Sequence, residues 1–570
     1  AVDATPGASD GIFVYLGSKT TTAALGDTVR VTGTASEYFG LTQISVSGAS
    51  GVIDVLGAGT LPTPVALPAT VTGADREQYE GMLVAPSDDY LVASTHEVER
   101  YGTVWLSAGT TPLVKSTETE RPGAAADAIA ASTAARRLLL DDGKNNQVTG
   151  ATQPYLTAAA PVRVGDGVSF HGLAYVLSYG FDKWRLQPTV PIDSTTPADA
   201  KAGFTGTNPR PATPADVGGD VRLATFNVLN YFTTFTSVDP DARGAADAAQ
   251  FAVQKGKIVA AISALDADVV ALQEIENSTQ FGDGTPDVAL ADLVDGLNEA
   301  AGSTVWAYVP TPAALVGAGA PPTDPIMNAI IYRPAAVTPV GASETVVDET
   351  VWDIAREPIA QRFATTPGGH GDVIVVANHF KSKGGTGTGP ADGQGFFNAE
   401  RVEQANSVIA FAASLEAATG VDDIAIMGDL NSYGQEDPVA TFAAAGYTDL
   451  VASRAAGQYT YTFDGELGSL DHVMASPALA ARVTGTDVWD INADEWSGFG
   501  YFGSMPEVDS VYRASDHDPI LVGIDDGSTL TLDLLGINDF HGRLEAGSGG
   551  VVGAAVLAGA VNSYRAANPS

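Results

Sequence analysis

The first third of the chain alternates short apolar and polar runs in a pattern typical of β-strands. The runs at 11–15 and 26–33 are separated by turns rich in Gly, Pro, Asp and Thr, which predicts an all-β region over residues 1–191. The spacing Gly-Asp-x-Val-x-x-x-Gly occurs at 26–33 and again at 165–172. Two small barrel-like units would explain this echo, and shared β-turn composition would explain it too. An Ala-rich stretch at 124–140 predicts a single helix.

From residue 220 to 525 the pattern switches between strand-like and helix-like runs. Strands are predicted at 221–226 and 267–272, and a helix at 248–265, where apolar residues recur on one face and Asp247 can cap the first turn. This alternation indicates an α/β layered domain over 220–525. Residues 192–219 before it are rich in Pro, Thr, Ala and Asp without apolar periodicity, which indicates a linker.

The end of the chain carries only a small piece of pattern. After a hinge at 525–528, one strand-like run lies at 530–537 and one helix-like run at 551–564. Because these are too few for a domain, we expect 529–570 to be the incomplete start of one. Ala1 is not followed by a basic-then-apolar signal peptide, so we expect that a signal was removed or that the chain is a fragment.

Composition narrows the possible function classes. The 570 residues are 45% hydrophobic, which favours large buried cores over global disorder, and they include no cysteine. A cysteine nucleophile, a thiolate metal site and a disulfide are thereby excluded. No apolar run reaches about 18 residues, so no membrane span is predicted. The net charge of −39 argues against gripping nucleic acid by bulk charge, although divalent cations can neutralise an enzyme site locally.

Polar side chains follow the predicted strands of the α/β region. The apolar run at 424–427 is followed by Asp429 and Asn431, which would face one side if the strand continues through them. Similar strand-end residues are Asn227, Gln273-Glu274, Asn378-His379, Asp471-His472 and Asp516-His517-Asp518. One such group is usually a cap or turn, but six in one domain indicate a site. Carboxylate and amide oxygens suit Mg²⁺, and a histidine aimed by a carboxylate can move a proton, so we predict metal-assisted hydrolysis of a phosphate ester.

These residues form motifs that resemble the endonuclease/exonuclease/phosphatase superfamily, typified by pancreatic-type deoxyribonuclease. In family order, the motifs are Thr225-Phe226-Asn227, Leu272-Gln273-Glu274, Arg356-Glu357-Pro358, Asn378-His379, Gly428-Asp429-Leu430-Asn431, Leu470-Asp471-His472 and Ser515-Asp516-His517. The stretches 378–383, 393–402 and 469–473, with 10–15 and 40–44 in the β region, resemble secreted bacterial nucleases of the NucH/ExeM type. The resemblance implies a multidomain protein: an OB-like all-β region, then a four-layer α/β sandwich. It also implies an extracellular or cell-surface nuclease acting on DNA, with RNA as an alternative substrate.

The resemblance also implies roles for single residues. Glu274 and Asp516, with Asn227 beside them, would hold Mg²⁺, with Mn²⁺ or Ca²⁺ as alternatives. Asp429 would orient or activate the attacking water, and Asn431 would hold a phosphate oxygen. His379 and His517, the latter aimed by Asp471, would flank the scissile phosphate. The residues implied to contact phosphates are Arg356, Lys381 and Lys383. In the family pattern a carboxylate orients the first histidine. This chain has Ile326 at that position, and the nearest acidic residue is Asp324. Phe396 stands where a cysteine is often found.

A second motif follows the hinge. Residues 536–542 resemble the first metal-binding motif of metallophosphoesterases of the 5′-nucleotidase type, with Asp539 and His541 as ligands to one metal. No His and no Asp follow His541, so a two-metal centre cannot be completed within 529–570. We therefore expect a nucleotidase domain to follow in a larger parent protein, and no release of phosphate from AMP by this chain.

Other functions stay open at this point. A phosphodiesterase of the same fold could act on phospholipid head groups or nucleotides, and a surface adhesion protein could carry a vestigial catalytic fold. The complete set of strand-end residues argues against a vestigial site. In the β region, Tyr38, Phe39, Tyr179 and Trp184 are candidates for stacking on bases or for packing.

Overall fold

The computed structural model describes residues 7–526 except 151, 158, 318–319, 322–323, 366–370 and 387–391, and, beyond 526, residues 545 and 554–567. Residues 1–526 form one compact unit, and 527–570 form a second. In the second unit the structure describes one helix, Ala554–Ala567. The described helices include none that is long and apolar enough to cross a membrane.

Strands dominate the N-terminal part of the first unit, as the alternating pattern predicts. The strands are β1 (Phe13–Tyr15), β2 (Asp27–Thr32), β3 (Thr34–Tyr38), β4 (Leu41–Ser45), β5 (Val52–Ala58), β6 (Val65–Leu67), β7 (Leu83–Pro86), β8 (Tyr90–Ser94), β9 (Val104–Ala108), β10 (Arg137–Leu140), β11 (Val168–Ser169), β12 (Tyr175–Gly180), β13 (Lys183–Pro188) and β14 (Gly203–Phe204). The helices are α1 (Val98–Tyr101), α2 (Ser116–Thr119) and α3 (Ala124–Arg136), with 3₁₀ turns at Gly73–Tyr79 and Ala198–Ala200.

Seven of these strands form one sheet, which we call the N-terminal sheet, in the order β6-β7-β12-β13-β10-β9-β8. The two copies of the sequence echo lie in different sheets, since β2 pairs with β5 and β11 pairs with β14. This arrangement favours shared turn composition over two repeated barrels as the source of the echo. The OB-like character of the region stays a prediction.

The helix predicted at 124–140 is wrong in its last four residues. Helix α3 ends at Arg136, and Arg137–Leu140 is strand β10. Leu138 and Leu140 are fully buried in the core of the N-terminal sheet, and β10 lies between β9 and β13. Burial on both sides of the sheet therefore overrides the helical propensity that continues from the Ala-rich run.

The α/β part alternates strands and helices, as predicted for 220–525. Its strands are β15 (Val221–Tyr231), β16 (Val269–Glu276), β17 (Ala307–Tyr308), β18 (Ile326–Tyr332), β19 (Val337–Thr345), β20 (Ile359–Thr365), β21 (Val373–His379), β22 (Ile424–Asp429), β23 (Thr448–Asp449), β24 (Tyr461–Phe463), β25 (Glu466–Gly468), β26 (Asp471–Ala475), β27 (Val483–Val488) and β28 (Ile520–Ile524). Its helices are α4 (Ala248–Leu265), α5 (Val288–Ala301), α6 (Asn398–Thr419), α7 (Asp437–Ala444), α8 (Leu450–Arg454) and α9 (Pro477–Arg482), with 3₁₀ turns at Ser278–Phe281, Ala313–Leu315 and Ser497–Phe499. Helix α4 has the predicted bounds, and Asp247 accepts hydrogen bonds from the backbone N–H groups of Ala249 and Gln250.

Two six-stranded sheets build this part in four layers. Sheet I has the order β17-β18-β16-β15-β28-β27, and sheet II the order β19-β20-β21-β22-β26-β23. A core that includes Leu223, Val375 and Val522 joins the two sheets face to face. Helices α4 and α5 cover the outer face of sheet I, and α6 and α7 cover that of sheet II. The observed arrangement is the predicted α/β four-layer sandwich.

The segment 192–219, predicted as a linker, is packed against both parts of the unit. Its strand β14 pairs with β11. Arg210 forms ion pairs with Glu495 at 2.6 Å and with Glu507 at 3.0 Å. The core of the N-terminal sheet also includes Trp496 and Phe499, which belong to the α/β part. The two parts are therefore joined by buried contacts as well as by chain connectivity.

Candidate active site

Strand register brings three of the predicted site residues into one row. On sheet II, His379 lies opposite Asp429, and Asp429 lies opposite Asp471. Residues directly opposite each other on neighbouring strands project to the same face. All three side chains are buried, so the ends of β21, β22 and β26 hold a histidine and two carboxylates side by side.

Gly428 allows β22 to pass close to its neighbour just before Asp429. Its φ is +138°, and a Cβ at this position would lie 2.0 Å from the carbonyl oxygen of Asn378. Such an approach is possible only for a residue without a side chain. The close approach of Gly428 to the backbone of Asn378 therefore explains why the Gly-Asp-Leu-Asn motif begins with glycine.

Sheet I contributes Asn227 and Glu274 from the opposite side of the sandwich. The β15–β16 ladder shifts register between Asn227 and Tyr231, and the β16–β18 ladder between Leu272 and Ile275. Glu274 has a φ of +65°. An irregularity of this kind re-aims a side chain. The Nδ2 of Asn227 donates to Glu274 Oε1 and to Asp429 Oδ2, both at 3.3 Å, so the Asn227 amide connects the two sheets at the site.

His517 closes the site from the loop before β28. Its Nδ1 lies 2.7 Å from Asp471 Oδ2, and its Nε2 lies 4.0 Å from Asp429 Oδ2. The loop is held in place because Ser515 Oγ donates to the carbonyl oxygen of Asn227 at 2.6 Å and Asn492 Nδ2 donates to that of His517 at 2.6 Å. The predicted Asp471–His517 pair is thus formed next to Asp429.

Burial and charge shift the proton affinities of these groups. Burial would lower the pKa of His517, but Asp471 and Asp516 raise it well above its ordinary value. Burial raises the pKa of Asp429, although the charge of His517 opposes the shift. Burial and the nearby charge of Asp516 raise the pKa of Glu274. The site therefore combines a cationic imidazole with carboxylates that bind protons more readily than usual.

His379 is held by an arginine. Arg356 Nη2 donates to His379 Nε2 at 2.9 Å, and burial, reinforced by Arg356, lowers the pKa of His379 well below its ordinary value. Among the described residues its Nδ1 has no partner. Asp324 lies 3.1 Å from Arg243 and accepts from the backbone N–H of Ile326 at 3.2 Å. His379 Nε2 also lies 3.3 Å from Asp429 Oδ2, so the nearest described carboxylate to this imidazole is Asp429, on the neighbouring strand, and not Asp324.

The remaining phosphate candidates divide into two groups. Arg356 reaches the site. The Nζ of Lys381 lies 5.0 Å from the ring centre of Phe397, and burial, reinforced by Arg356, lowers the pKa of Lys381. Lys383, by contrast, is ion-paired with Glu436 and donates to the carbonyl oxygen of Gln394 at 2.7 Å. The charge of Lys383 therefore holds this loop together, and its contact with phosphate stays a prediction.

Asn431 lies next to the row on sheet II. Its backbone N–H donates to Asp429 Oδ1 at 2.8 Å, and its side-chain Nδ2 donates to the carbonyl oxygen of Phe380 at 3.1 Å. The strand ends at Asp429, and Asn431 has a φ of +46°. The sequence pattern places both side chains on one face only if the strand continues through Asn431. The structure instead brings Asp429 and Asn431 together by a turn.

Two groupings could hold a divalent cation. Glu274 and Asp516 are close enough to raise the proton affinity of Glu274, and neighbouring carboxylates are the donor set that a hard cation prefers. Asp429, Asp471 and His517 also place ligand atoms within 4.8 Å of one another. Asp471 Oδ2 and His517 Nδ1 already bond to each other, and the oxygens of Glu274 accept from Asn227 and Asn230, so the choice between the two groupings stays a prediction. Asn227 accepts at Oδ1 from the backbone N–H of Leu229 at 3.1 Å, and its role as a ligand stays a prediction.

The other histidine of the motifs points away from the site, as expected for the residue after Asp471. His472 Nδ1 lies 2.8 Å from Asp449 Oδ2, and its Nε2 lies 2.8 Å from the carbonyl oxygen of Ser432. The second predicted metal pair, Asp539 and His541, lies outside the described residues.

Two residues that support the site were not found by sequence reasoning. Glu118, on α2 of the N-terminal part, accepts at one oxygen from the backbone N–H groups of Gly434 at 3.1 Å and Ser469 at 3.0 Å. These groups belong to the loops that carry Asn431 and Asp471. Tyr461 packs its ring 4.5 Å from that of His517. Neither residue has a local signal, because Glu118 is 316 positions from Gly434 in the chain.

The chain is similar to several solved structures. An endonuclease/exonuclease/phosphatase family protein from Bacteroides thetaiotaomicron is 16% identical, with 53% of this chain and 93% of that chain covered and a TM-score of 0.34. The human Nocturnin catalytic domain with bound sulfate is 16% identical, with 54% and 95% covered and a TM-score of 0.33. D. rerio TDP2 complexed with single-strand DNA product is 15% identical, with 53% and 97% covered and a TM-score of 0.33. No curated protein shows significant similarity to the chain.

The model of the Endonuclease/Exonuclease/phosphatase family matches residues 224–517, which is just over half of the chain and includes the site described above. Members of this family are hydrolases of phosphodiesters or phosphate esters and typically depend on divalent metals. The chain therefore belongs to the endonuclease/exonuclease/phosphatase family.

Proposed function

We propose that the chain is an extracellular, divalent-metal-dependent nuclease that hydrolyses phosphodiester bonds of DNA, with RNA as a further substrate. The observation that carries this proposal is the Asp471–His517 pair lying next to Asp429, with Nδ1 2.7 Å from Asp471 and Nε2 4.0 Å from Asp429. A histidine paired with one carboxylate and lying beside a second, buried carboxylate suits general acid–base catalysis of an in-line attack on phosphorus. The DNA substrate and secretion follow from the motif resemblance.

The residues of the site divide the chemistry among them. Glu274 and Asp516 would hold the cation, Mg²⁺ in the first instance. Once bound there, it would polarise a phosphoryl oxygen and offset charge on the leaving oxygen. Asp429 is buried, and its pKa is raised toward that of a base able to accept a proton from water.

The cations on the other side act on the phosphate. His517 is held protonated by Asp471, so it can donate a hydrogen bond to a phosphate oxygen as negative charge develops there. Arg356 lies 2.9 Å from His379 and presents a fixed positive charge beside that imidazole. The lowered pKa of His379 keeps it neutral, which suits a hydrogen-bonding role more than that of a general acid.

The test is cleavage of circular and linear DNA, followed on gels with Mg²⁺, Mn²⁺, Ca²⁺ or chelator. We expect cleavage with a divalent cation and none with chelator. Asp429→Ala and His517→Ala should each reduce the rate on the order of 10²–10⁴-fold, because each removes a group that acts on the reacting atoms.

Matched controls keep the comparison specific. Asp353 and His171 are exposed residues outside the site, so Asp353→Ala and His171→Ala should cleave at the wild-type rate. Near-full DNA cleavage by Asp429→Ala or His517→Ala, with the fold confirmed by circular dichroism, would exclude the proposed mechanism. Cleavage of sphingomyelin and not of DNA would exclude the proposed substrate.

A further inference from the structure

A large groove lies between the N-terminal sheet and the α/β part, and most of its lining lies outside the active site described above. Its volume is about 840 Å³, within the range of sites that enclose most of a ligand. Aromatic residues from both parts line it, namely Trp105, Trp184, Tyr461, Phe463 and Phe502. The groove thus exists only because the two parts are packed together.

Two of these aromatic rings are exposed to solvent. Phe463 is 59% exposed and Phe502 is 49% exposed. Leaving large apolar rings in water forgoes the stabilisation that burial gives, and such rings grouped around a concave surface commonly mark a binding site. Both rings come from loops or hairpins of the α/β part, opposite the two tryptophans of the N-terminal sheet.

The Trp105 ring, on the N-terminal side of the groove, is held in a fixed orientation. Trp105 donates from Nε1 to Glu97 Oε2 at 3.0 Å. The Arg137 guanidinium lies 5.0 Å from its ring centre, and the Lys183 ammonium 5.2 Å from it. Cations over an indole face fix the orientation of the ring. A ring with a fixed orientation loses little conformational entropy when a planar ligand stacks on it.

The groove lining carries three cationic side chains, Arg137, Lys183 and Arg513, and four acidic ones, Glu97, Asp182, Asp464 and Asp516. Arg137 is paired with Asp464 at 2.8 Å, and Lys183 lies 3.6 Å from Glu97. In a chain with a net charge of −39, this groove offers a polyanion an aromatic surface whose charges nearly cancel. Attraction along it must therefore come mainly from stacking and not from phosphate pairing.

The groove leads directly into the candidate active site. Asp516, which we assign to the metal, lines it together with Tyr461. The Tyr461 ring lies 4.5 Å from that of His517. A polymer whose scissile phosphate lies at His517 would therefore extend past Tyr461 toward Phe463, Phe502 and the tryptophans.

We propose that this groove binds a single-stranded segment of the polynucleotide substrate, with successive bases stacked on the aromatic side chains. The inference rests on the proposed nuclease function and adds the strandedness of the substrate. Bases in a duplex are already stacked on each other, so their faces are free only in single strands, at frayed ends or after unpairing. Exposed rings that line this groove therefore fit an unpaired strand.

The test is a binding measurement in an Asp429→Asn background, which prevents cleavage during the assay. Fluorescence anisotropy compares labelled oligothymidine of about 12 nucleotides, long enough for an aromatic groove, with a duplex of equal length. We expect tighter binding of the single strand. Adding Phe463→Ala and Phe502→Ala should weaken that binding by at least about tenfold, since each base–aromatic stack is removed by alanine, and should leave duplex binding unchanged.

The matched control is Phe13→Ala, which removes an aromatic ring that is 45% exposed and lies away from the groove. It should leave the Kd for the single strand unchanged. The Kd should also rise only slightly with salt, because few counterions are released when phosphates are not paired. Equal single-strand binding with and without the two Phe substitutions, or an equal loss in Phe13→Ala, would overturn the proposal.

Hydrolysis of bis(p-nitrophenyl) phosphate separates this inference from the function on which it rests. This small diester cannot span the groove, so Phe463→Ala/Phe502→Ala in the wild-type background should hydrolyse it at the wild-type rate while its KM for single-stranded DNA rises. If the wild-type chain hydrolyses neither substrate, the proposed function fails. The anisotropy measurement would then still decide whether the groove binds single strands.

Discussion

Two residues of the site have backbone conformations that residues other than glycine rarely adopt. Glu274 has a φ of +65° and Asn431 a φ of +46°. Positive φ at residues other than glycine costs on the order of 1–3 kcal/mol each and persists where the surrounding fold enforces it. Here the hydrogen bonds from Asn230 N–H to Glu274 at 3.0 Å and from Asn431 N–H to Asp429 at 2.8 Å hold both conformations, which aim the side chains at the site.

His472 gives a pH-dependent prediction for stability. Burial would lower the pKa of His472, but Asp449 and its hydrogen bonds raise it to about 9. The ordinary value in the unfolded chain is about 6.5. The folded state therefore binds this proton more tightly, and the stabilisation, on the order of 3 kcal/mol, is complete below about pH 6.5 and is lost as the pH rises through about 9.

The measurement is the free energy of unfolding by denaturant at pH 6 and pH 9 for the wild type and His472→Gln. We expect the wild type to lose more stability between these pH values than the variant, which carries no titrating group at this position. Asp464→Asn, at a position that is largely exposed, serves as the control. The same pH dependence in the wild type and His472→Gln would contradict the assignment.

At this scale, the sequence reveals identities better than contacts. The strand-end pattern selects Asp429, Asp471 and His517, which the structure brings together, because polar residues that interrupt apolar runs are visible without a structure. The position of Lys383 is not visible, because its partner Glu436 is 53 positions away in the chain. The orientation of the Asn227 amide is likewise determined by its neighbours Glu274 and Asp429.

Among the elements, strand register does most to assemble the site. Apolar runs predict β21 and β22, but only the ladder shows that His379, Asp429 and Asp471 lie opposite one another. Register is determined by side-chain burial on both faces and by long-range pairing. For the same reason the sequence misplaces the end of helix α3, where burial of β10 between two strands decides the structure.

Helix α2 gives a prediction about catalysis. One oxygen of Glu118 accepts from Gly434 N–H and Ser469 N–H and so ties the loop of Asn431 to the strand of Asp471. We expect Glu118→Ala to reduce kcat by roughly tenfold on a small diester, with little change in KM, because displacement of catalytic groups by a fraction of an ångström costs rate more than binding.

The conservative variant separates positioning from a general loss of structure. Glu118→Gln keeps one carbonyl oxygen that can accept both hydrogen bonds, so it should retain most of the wild-type kcat. Thr119→Ala, next to it on the exposed face of α2, is the matched control. A wild-type kcat in Glu118→Ala would show that the contact has no part in positioning.

On the scale of the whole molecule, buried ion pairs join the N-terminal part to the α/β part. Arg163 lies 2.8 Å from Glu495 and 2.7 Å from Asp490, and Arg210 lies 2.6 Å from Glu495. Sequence composition over 192–219 predicts a free linker, because a segment rich in Pro and Thr has no apolar periodicity. The structure shows that such a segment can be held by charge, a signal that periodicity does not contain.

Glu495 is the residue on which this joint depends. Its side chain is fully buried, and it pairs with Arg163, of which 2% is exposed, and with Arg210. Glu495→Ala would leave two guanidinium groups in the interior with one partner fewer, and breaking a buried pair in this way costs about 3–5 kcal/mol. We expect a corresponding loss in the free energy of unfolding, measured by denaturant. Asp464→Ala, which removes a largely exposed partner of Arg137, should change stability by less than about 1 kcal/mol.

Because the groove exists only while the two parts are docked, Glu495→Ala should also weaken binding of single-stranded DNA at temperatures where the α/β part is still folded. Unchanged stability and unchanged binding would show that the ion pairs of Glu495 do not hold the two parts together.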